Sequence, residues 1–325
     1  MKNLIKIIIP LFILCFYSCK NEAIKIDEVR LEKISEINQL TDSSFISDIR
    51  SICYYNETFY LTDYKRNQII LLNNELKLLS FLGSRGKGPG EFLGAAHLYI
   101  DNDSIYVLND GKKTIEVFGK NSHIKTITPP TSTRVSSRHR FVKFKNNFYV
   151  SSTGNDKSIL RFNSQNKIKR FGLVKKYGSA KETNIKNKKQ LVKYKKYIIG
   201  ISDNRPKIEM YDIEGNIISE FNYGYIKILE QTIDYIRNKQ KRMNSYLMIV
   251  SDAYIYSNKL YLLLRIRSNE KMTSNKILEI EIDETKFKPT RVLDLGLGWF
   301  NTFCISDNNQ LIASNGNLIK FRIND

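Results

Sequence analysis

Few side chains in this sequence have the type and spacing that enzymatic chemistry requires. The chain of 325 residues contains three His and four Cys. The histidines His97, His123 and His139 lie far apart, and no pair of cysteines accompanies them at the spacing of a zinc site. The serine-nucleophile motif G-x-S-x-G and the metalloprotease motif H-E-x-x-H are both absent. The residue types therefore identify no cofactor and no catalytic group.

The residue with the clearest chemical assignment is Cys19. Lys2 and Lys6 precede an apolar run over residues 7–17, and Ser18-Cys19 ends that run before a polar stretch. The run is too short for the ~20 residues of a membrane-spanning helix but suits the core of a signal peptide. A small residue before Cys at that point resembles a lipoprotein cleavage site, where the thiol receives a diacylglycerol. An ordinary signal peptide and an N-terminal anchor helix are the alternatives.

The other cysteines of the mature chain, Cys53 and Cys304, lie in apolar segments typical of strands. An oxidising envelope would permit a disulfide between them. We favour two buried free thiols, because Cys in such segments usually behaves as a small hydrophobic residue.

Positive charge is concentrated in one segment of the sequence. Residues 134–196, which we call the basic sector, contain 19 Lys or Arg and two acids, a net charge of +17. The rest of the mature chain is close to neutral, so the sector could attract an anionic partner, while a solvated surface loop is the alternative. In an envelope protein that partner would be an anionic envelope component such as lipid headgroups, an acidic polysaccharide or an acidic protein face; the compartment disfavours nucleic acid. The candidate binding residues are Lys175, Lys176, Lys186, Lys188, Lys189 and Lys193.

Short apolar runs recur through the chain in a regular unit of strand, Asn/Asp turn, strand, polar turn and strand. The second strands of six copies begin at Phe59, Ile105, Phe148, Tyr197, Leu260 and Leu311. The mean period is about 47 residues, within the range of a four-stranded propeller blade. The sixth copy ends with the chain, and the segment over residues 24–37 could supply its outer strand. The repeat therefore predicts an all-β fold, a six-bladed β-propeller.

A different periodicity interrupts the repeat after the fourth copy. Residues 225–247 carry apolar side chains at three-to-four spacing, which predicts a short helical insertion between blades four and five. The predicted organisation is a lipoprotein signal peptide over residues 1–18, a tether and candidate ring-closing strand over residues 19–44, and the propeller over residues 45–325.

A Gly-rich segment links the first copy to the second. It reads Gly83-Ser84-Arg85-Gly86-Lys87-Gly88-Pro89-Gly90-Glu91-Phe92. No convincing helix and no Lys-Ser/Thr pair follows it, so a phosphate-binding loop is disfavoured. The segment resembles the G-x-G-x-G-P-G-x-F connection of NHL-type propellers, and the chain is most similar to the six-bladed β-propeller lipoproteins of Bacteroidetes. We expect Gly83, Gly86, Gly88, Pro89, Gly90 and Phe92 to form a structural turn.

That resemblance implies an architecture and an envelope location, without a single activity. We therefore predict a non-catalytic propeller that binds a ligand or partner and is lipid-anchored at the outer membrane. The alternative is a metal-assisted hydrolase or lyase of the lactonase-like kind, because some six-bladed propellers carry such sites. His97, Asp101 and Asp252 flank predicted innermost strands and could then line the channel. Tyrosines in the same strands could stack on sugars, or they could serve blade packing; they are Tyr54, Tyr55, Tyr99, Tyr254 and Tyr256.

Overall fold

Six antiparallel sheets surround a common axis, which confirms the predicted six-bladed propeller. The computed structural model describes residues 23–130, 139–152, 156–165, 167–239 and 246–324. The predicted signal peptide and Cys19 lie outside these residues. The first strand of each blade contacts the first strands of the neighbouring blades, so these six strands line the central channel.

In blades 1 to 5 the strands follow chain order from the axis outwards. Blades 1 and 2 comprise Ile49–Tyr55, Thr58–Asp63, Gln68–Leu72 and Leu78–Leu82, then Ala95–Asp101, Ser104–Asn109, Thr114–Phe118 and His123–Ile127. Blades 3 and 4 comprise Val142–Phe144, Asn147–Ser151, Ile159–Asn163 and Ile168–Phe171, then Lys189–Tyr194, Tyr197–Ser202, Lys207–Tyr211 and Ile217–Asn222. Blade 5 comprises Val250–Tyr256, Lys259–Ser268, Lys271–Asp283 and Lys286–Asp294.

Blade 6 is built from both ends of the chain. Its inner strands are Thr302–Ile305, Gln310–Ser314 and Leu318–Arg322, and its outer strand is Glu32–Ile37. The N-terminal strand pairs antiparallel with the last strand, from Glu32 opposite Arg322 to Ile37 opposite Leu318. A further strand, Asp27–Arg30, adds in parallel to the outer edge of blade 5. The N-terminal segment therefore covers the edge that the sixth repeat leaves unpaired.

The core is divided among the interfaces between blades. Six clusters of buried apolar side chains occur, one between each pair of neighbouring blades. The cluster between blades 4 and 5 also takes in Ile226, Leu229 and Ile236 from the connection between them. Both faces of a blade are thus buried, which explains strands that are apolar on both sides.

Two helices lie in connections between blades. Helix α1, Ala180–Lys186, precedes blade 4, and the Ser179 hydroxyl caps it by accepting from the Glu182 N–H at 3.1 Å. Helix α2, Glu230–Lys239, follows a 3₁₀ turn, Lys227–Leu229, and precedes blade 5. The predicted insertion is therefore present, but the helix itself is shorter than residues 225–247. No helix in the described part of the chain is both long enough and apolar enough to cross a bilayer.

The Gly-rich link forms a small closed loop between blades 1 and 2. Ser84–Arg85 pairs in parallel with Glu91–Phe92, and the Gly88 N–H donates to the Glu91 carboxylate at 2.6 Å. Gly83 has a φ of +74°, and a Cβ there would lie 2.4 Å from the Phe92 ring. A side chain at this position would therefore meet both backbone strain and a clash.

Candidate functional site

The central channel opens into a cavity at one end, which we call the mouth. The hairpins that join first to second strands surround this end, because the first strands all run in the same direction along the axis. The cavity has a volume of about 230 Å³. Its walls come from the first strands of blades 1 to 5 and are lined by Cys53, Tyr54, Tyr55, Leu98, Tyr99, Ile100, Arg140, Phe141, Val142, Leu191, Val192, Lys193, Ala253, Tyr254 and Ile255.

Four of the five tyrosines that the sequence singled out line this cavity. Tyr54, Tyr55, Tyr99 and Tyr254 are half-buried, so their rings are neither fully packed nor fully solvated. Burial raises the pKa of Tyr99 and of Tyr254, which keeps both hydroxyls protonated. The fifth, Tyr256, lies outside the lining and donates its hydroxyl to the Asp307 carbonyl at 3.1 Å. The mouth is therefore an aromatic pocket with neutral hydroxyl groups.

The floor of the cavity is a buried ion pair between Arg140 and Asp252. Arg140 Nε lies 2.5 Å from Asp252 Oδ1, and Arg140 Nη2 lies 2.7 Å from Oδ2. The Thr302 hydroxyl also donates to Oδ2, at 2.7 Å, and Arg140 Nη2 donates to the Phe303 carbonyl at 3.0 Å. Burial alone would lower the pKa of Arg140, but the adjacent Asp252 carboxylate raises it overall. This pair joins blades 3, 5 and 6 across the axis.

The structure does not gather the three residues of the enzyme alternative into one site. Asp252 is engaged by Arg140 at the floor, and Asp101 lies at the rim, where Lys143 Nζ is 2.7 Å from its Oδ2. His97 is buried in the first strand of blade 2, one residue before Leu98 of the cavity lining. Among the described residues, no group of three or more His, Cys, Asp or Glu side chains is placed to hold a metal ion.

The opposite end of the channel, which we call the histidine end, is formed by His139, Asp203, Tyr246 and Asn204. His139 Nε2 lies 2.7 Å from Asp203 Oδ2, and the Tyr246 hydroxyl donates to the same oxygen. His139 and Asp203 are buried, and both side-chain amide atoms of Asn204 are buried without a hydrogen-bond partner among the described residues. Sequence reasoning missed this group, because its residues come from segments that are distant along the chain.

Burial divides the candidate residues of the basic sector. Lys175 and Lys176 are exposed, and Lys188 and Lys193 are half-buried. Lys186 is buried beside Glu182, and Lys189 is fully buried beside Glu209. Burial lowers the pKa of Lys189, while Glu209 acts in the opposite direction.

Burial contradicts the assignment of Lys186 and Lys189 as surface binding residues, and the alternative of a solvated loop does not hold for them either. Their ammonium groups neutralise acids inside the fold. The remaining candidates also lie at different ends of the channel: Lys193 is at the mouth, whereas Lys175 and Lys176 lie in the connection that leads to the histidine end.

Both cysteines of the described chain are free thiols, one buried and one half-buried. Burial raises the pKa of Cys53 and of Cys304, so each is a neutral thiol at neutral pH. They are poor nucleophiles in this state, since the thiolate is the reactive form.

Comparison with known protein families identifies the family of this six-bladed propeller. Residues 30–314 match the family DUF5128, described as a 6-bladed beta-propeller. The chain belongs to that family. No curated protein matches the sequence significantly.

Solved structures of other propellers share the fold of this DUF5128 chain at low sequence identity. An exported protein of Bacteroides fragilis is 14% identical with a TM-score of 0.62, covering 93% of this chain and 100% of its own. A DUF4221 protein of Bacteroides vulgatus is 8% identical with a TM-score of 0.57, covering 90% and 97%. Virginiamycin B lyase of Staphylococcus aureus is 14% identical with a TM-score of 0.53, covering 89% and 99%. At these identities the likeness concerns the fold alone.

Proposed function

We propose that the protein is a lipid-anchored binding propeller of the bacterial outer envelope and that its mouth holds a ring-bearing small molecule. The observation that supports this most is the cavity itself, which presents four half-buried tyrosines from the first strands of three blades. Aromatic faces stack on flat or ring-shaped ligands, and pockets of this kind combine apolar walls with a few polar groups. The hydroxyl groups of the tyrosines would fix the ligand's orientation.

Binding fits the mouth better than catalysis does. A general base needs a carboxylate or imidazole within hydrogen-bond reach of the substrate. Asp252, behind the floor of the cavity, already accepts hydrogen bonds from Arg140, Thr302 and the Ala253 N–H. The Asp252 carboxylate is thus engaged within the fold, so the mouth offers shape and aromatic surface.

The envelope location rests on the leader sequence. The apolar run over residues 7–17 followed by Ser18-Cys19 fits a lipoprotein signal, and an exported Bacteroides fragilis protein has the same fold. Replacing Cys19 with Ala and fractionating the cells tests the anchor. The variant should leave the membrane fraction; a variant that stays there and is processed like the native protein would refute lipidation.

A second, separate proposal concerns the exposed lysines near the histidine end. Lys175 and Lys176 are exposed on the connection before helix α1. We propose that they meet an acidic polysaccharide or another anionic envelope component. Such binding should weaken steeply with salt, because the Debye length falls from about 10 Å at 0.1 M to about 3 Å at 1 M.

Ring binding at the mouth can be tested with a matched pair of tyrosine variants. Phenol and methyl glucoside serve as neutral ring probes in ligand-observed NMR. Tyr99→Ser removes a lining ring, whereas Tyr256→Ser removes a ring from a neighbouring hairpin outside the cavity. Binding that is lost in Tyr99→Ser and kept in Tyr256→Ser is expected. Equal loss in both variants, or no binding by the native protein, would contradict the proposal.

A hydrolase or lyase is the second candidate, and the histidine end supports it. A buried histidine 2.7 Å from a carboxylate is the arrangement that orients a general base. Among the solved propellers of this fold is a virginiamycin B lyase whose histidine substitution makes it catalytically inactive. Elemental analysis of the purified protein and a lactone-opening assay test this candidate. A stoichiometric divalent ion together with activity that His139→Ala abolishes would favour the enzyme over the binding protein.

A further inference from the structure

We propose that the ligand of the mouth is a six-membered ring carrying a carboxylate, and that Lys193 and Arg140 receive this carboxylate. The inference rests on the proposed function, which places a ring among the tyrosines, and it adds the sign of the ligand's charge. It follows from the two cations of the cavity wall and from the charges around the rim.

Of the two cations in the cavity wall, Lys193 has the fewer of its hydrogen-bond donors engaged. Its side chain is half-buried, and Nζ lies 4.7 Å from the centroid of the Phe144 ring. Within the described part of the chain it has no carboxylate partner, whereas Lys143 on the adjacent blade is paired with Asp101 at 2.7 Å. An ammonium group has three donors, and a ring face occupies at most one of them. Lys193 can therefore bind an acceptor inside the cavity.

Arg140 contributes a second donor at the floor. Its Nε and Nη2 donate to Asp252, whereas the one acceptor of Nη1 among the described residues is the Cys53 sulfur, at 3.9 Å. A thiol is a weak acceptor, so a carboxylate oxygen would be the better partner for this N–H. The guanidinium edge that faces the cavity is thus poised to donate without breaking the ion pair behind it.

The net charge of the cavity is positive. The described residues that line it include two cations, Arg140 and Lys193, and no acidic side chain. Asp252 lies behind the floor, is fully buried and balances Arg140. The charge of Lys193 is left without a counter-ion among the described residues, and a ligand carboxylate would supply one. An anion is favoured over a cation here because a cation would meet the Lys193 ammonium without any compensating acid.

Charges on the rim are arranged with the same polarity. The first hairpins of blades 3 and 4 present the exposed Lys145, Lys195 and Lys196. Those of blades 1, 2 and 6 present acids on the other side, namely Glu57, Asp103 and Asp307. The positive side of the rim attracts an anionic ligand towards Lys193, so the uncharged part of the ligand would face the opposite side.

The volume of the cavity limits the size of the ligand. Its volume of about 230 Å³ is below the ~300–1,000 Å³ typical of pockets that hold drug-sized ligands. One ring with a few substituents fits this space, whereas an extended chain would have to leave through the open end. The structure therefore fits a single acidic ring, either a free molecule or the terminal unit of a chain.

Two classes of compound share this chemistry, and titration calorimetry separates them. Glucuronate represents acidic sugars, and 4-hydroxybenzoate represents aromatic acids. Methyl glucoside and 4-hydroxybenzyl alcohol are their neutral counterparts. A charge-assisted hydrogen bond adds enough free energy that at least one acid should bind about tenfold more tightly than its neutral counterpart, or better. The acid that does so identifies the class.

Three lysine variants test whether the preference for the acid depends on Lys193. Lys193→Met should abolish the preference for the acid, and Lys193→Arg should keep it because the charge and donors remain. Lys181→Met is the matched control, since it removes one charge from the same sector at the opposite end. Thermal melts verify that all three fold.

The titrations distinguish a failure of the acid preference from a failure of ring binding at the mouth. Neutral rings that bind as tightly as the acids would overturn the inference and leave ring binding intact. An acid preference that survives in Lys193→Met, or disappears equally in Lys181→Met, would also overturn it. If none of the four compounds binds, ring binding at the mouth is wrong and the inference falls with it.

Discussion

The two ends of the channel differ in how far their polar side chains are buried. At the histidine end, His139 and Tyr246 both bond one oxygen of the buried Asp203 carboxylate, whereas its other oxygen and the Asn204 amide are buried without a hydrogen-bond partner among the described residues. At the mouth, the tyrosines and Lys193 remain half-buried beside an open cavity. The Arg140–Asp252 pair lies between the two ends and closes the floor. Groups buried in the fold are closed off from solvent and from ligands, whereas partly exposed groups around a cavity are available to a ligand.

The largest effect on stability is expected at the floor. Asp252→Ala would leave the Arg140 guanidinium buried without its counter-ion, which costs about 3–5 kcal/mol of unfolding free energy. Urea denaturation measures this directly. The double variant Arg140→Met/Asp252→Ala removes both charges and should recover most of the loss. A single variant as stable as the native protein would show that the pair does not hold the blades together.

A smaller loss is expected at the histidine end. His139→Ala removes one hydrogen-bond partner of the buried Asp203 carboxylate and should cost about 1–3 kcal/mol. Ligand binding at the mouth should be unchanged, because the floor separates this group from the cavity. The same urea titration and the probe titrations together test this. A loss of probe affinity with little loss of stability would move the binding site to the histidine end.

The smallest effect is expected for the lysine of the mouth. Lys193→Met replaces a half-buried cation that has no ion-pair partner among the described residues, so stability should change by less than about 0.5 kcal/mol. Urea denaturation beside the Lys181→Met control provides the comparison. A loss of several times that amount would mean that Lys193 is part of the fold's own polar network.

The repeat pattern predicted the architecture well, because each blade is a local unit whose turns and apolar runs can be recognised in the sequence. Turn residues such as Asn56-Glu57 and Asn102-Asp103 adopt the positive φ values that two-residue hairpins require. The family match over residues 30–314 supports the same fold. The helical insertion was also legible, since its apolar side chains follow the helical spacing.

The site was much less predictable, because it depends on which distant residues meet at the axis. The sequence marked Tyr54, Tyr99 and Tyr254 but assigned no partner to Asp252, since Arg140 is 112 residues away. Counting charges along the sequence does not distinguish Lys189 from its exposed neighbours. In the structure Lys189 is buried in an ion pair with Glu209, 20 residues later. Net charge in a segment carries no information about pairing across strands.

A crystal structure with the tightest-binding ring acid shows directly which end of the channel is occupied. Electron density for the ring is expected against Tyr99 and Tyr254, with a carboxylate oxygen within hydrogen-bond distance of Lys193 Nζ. Density for the compound at His139 and Asp203, with the mouth vacant, would refute binding at the mouth.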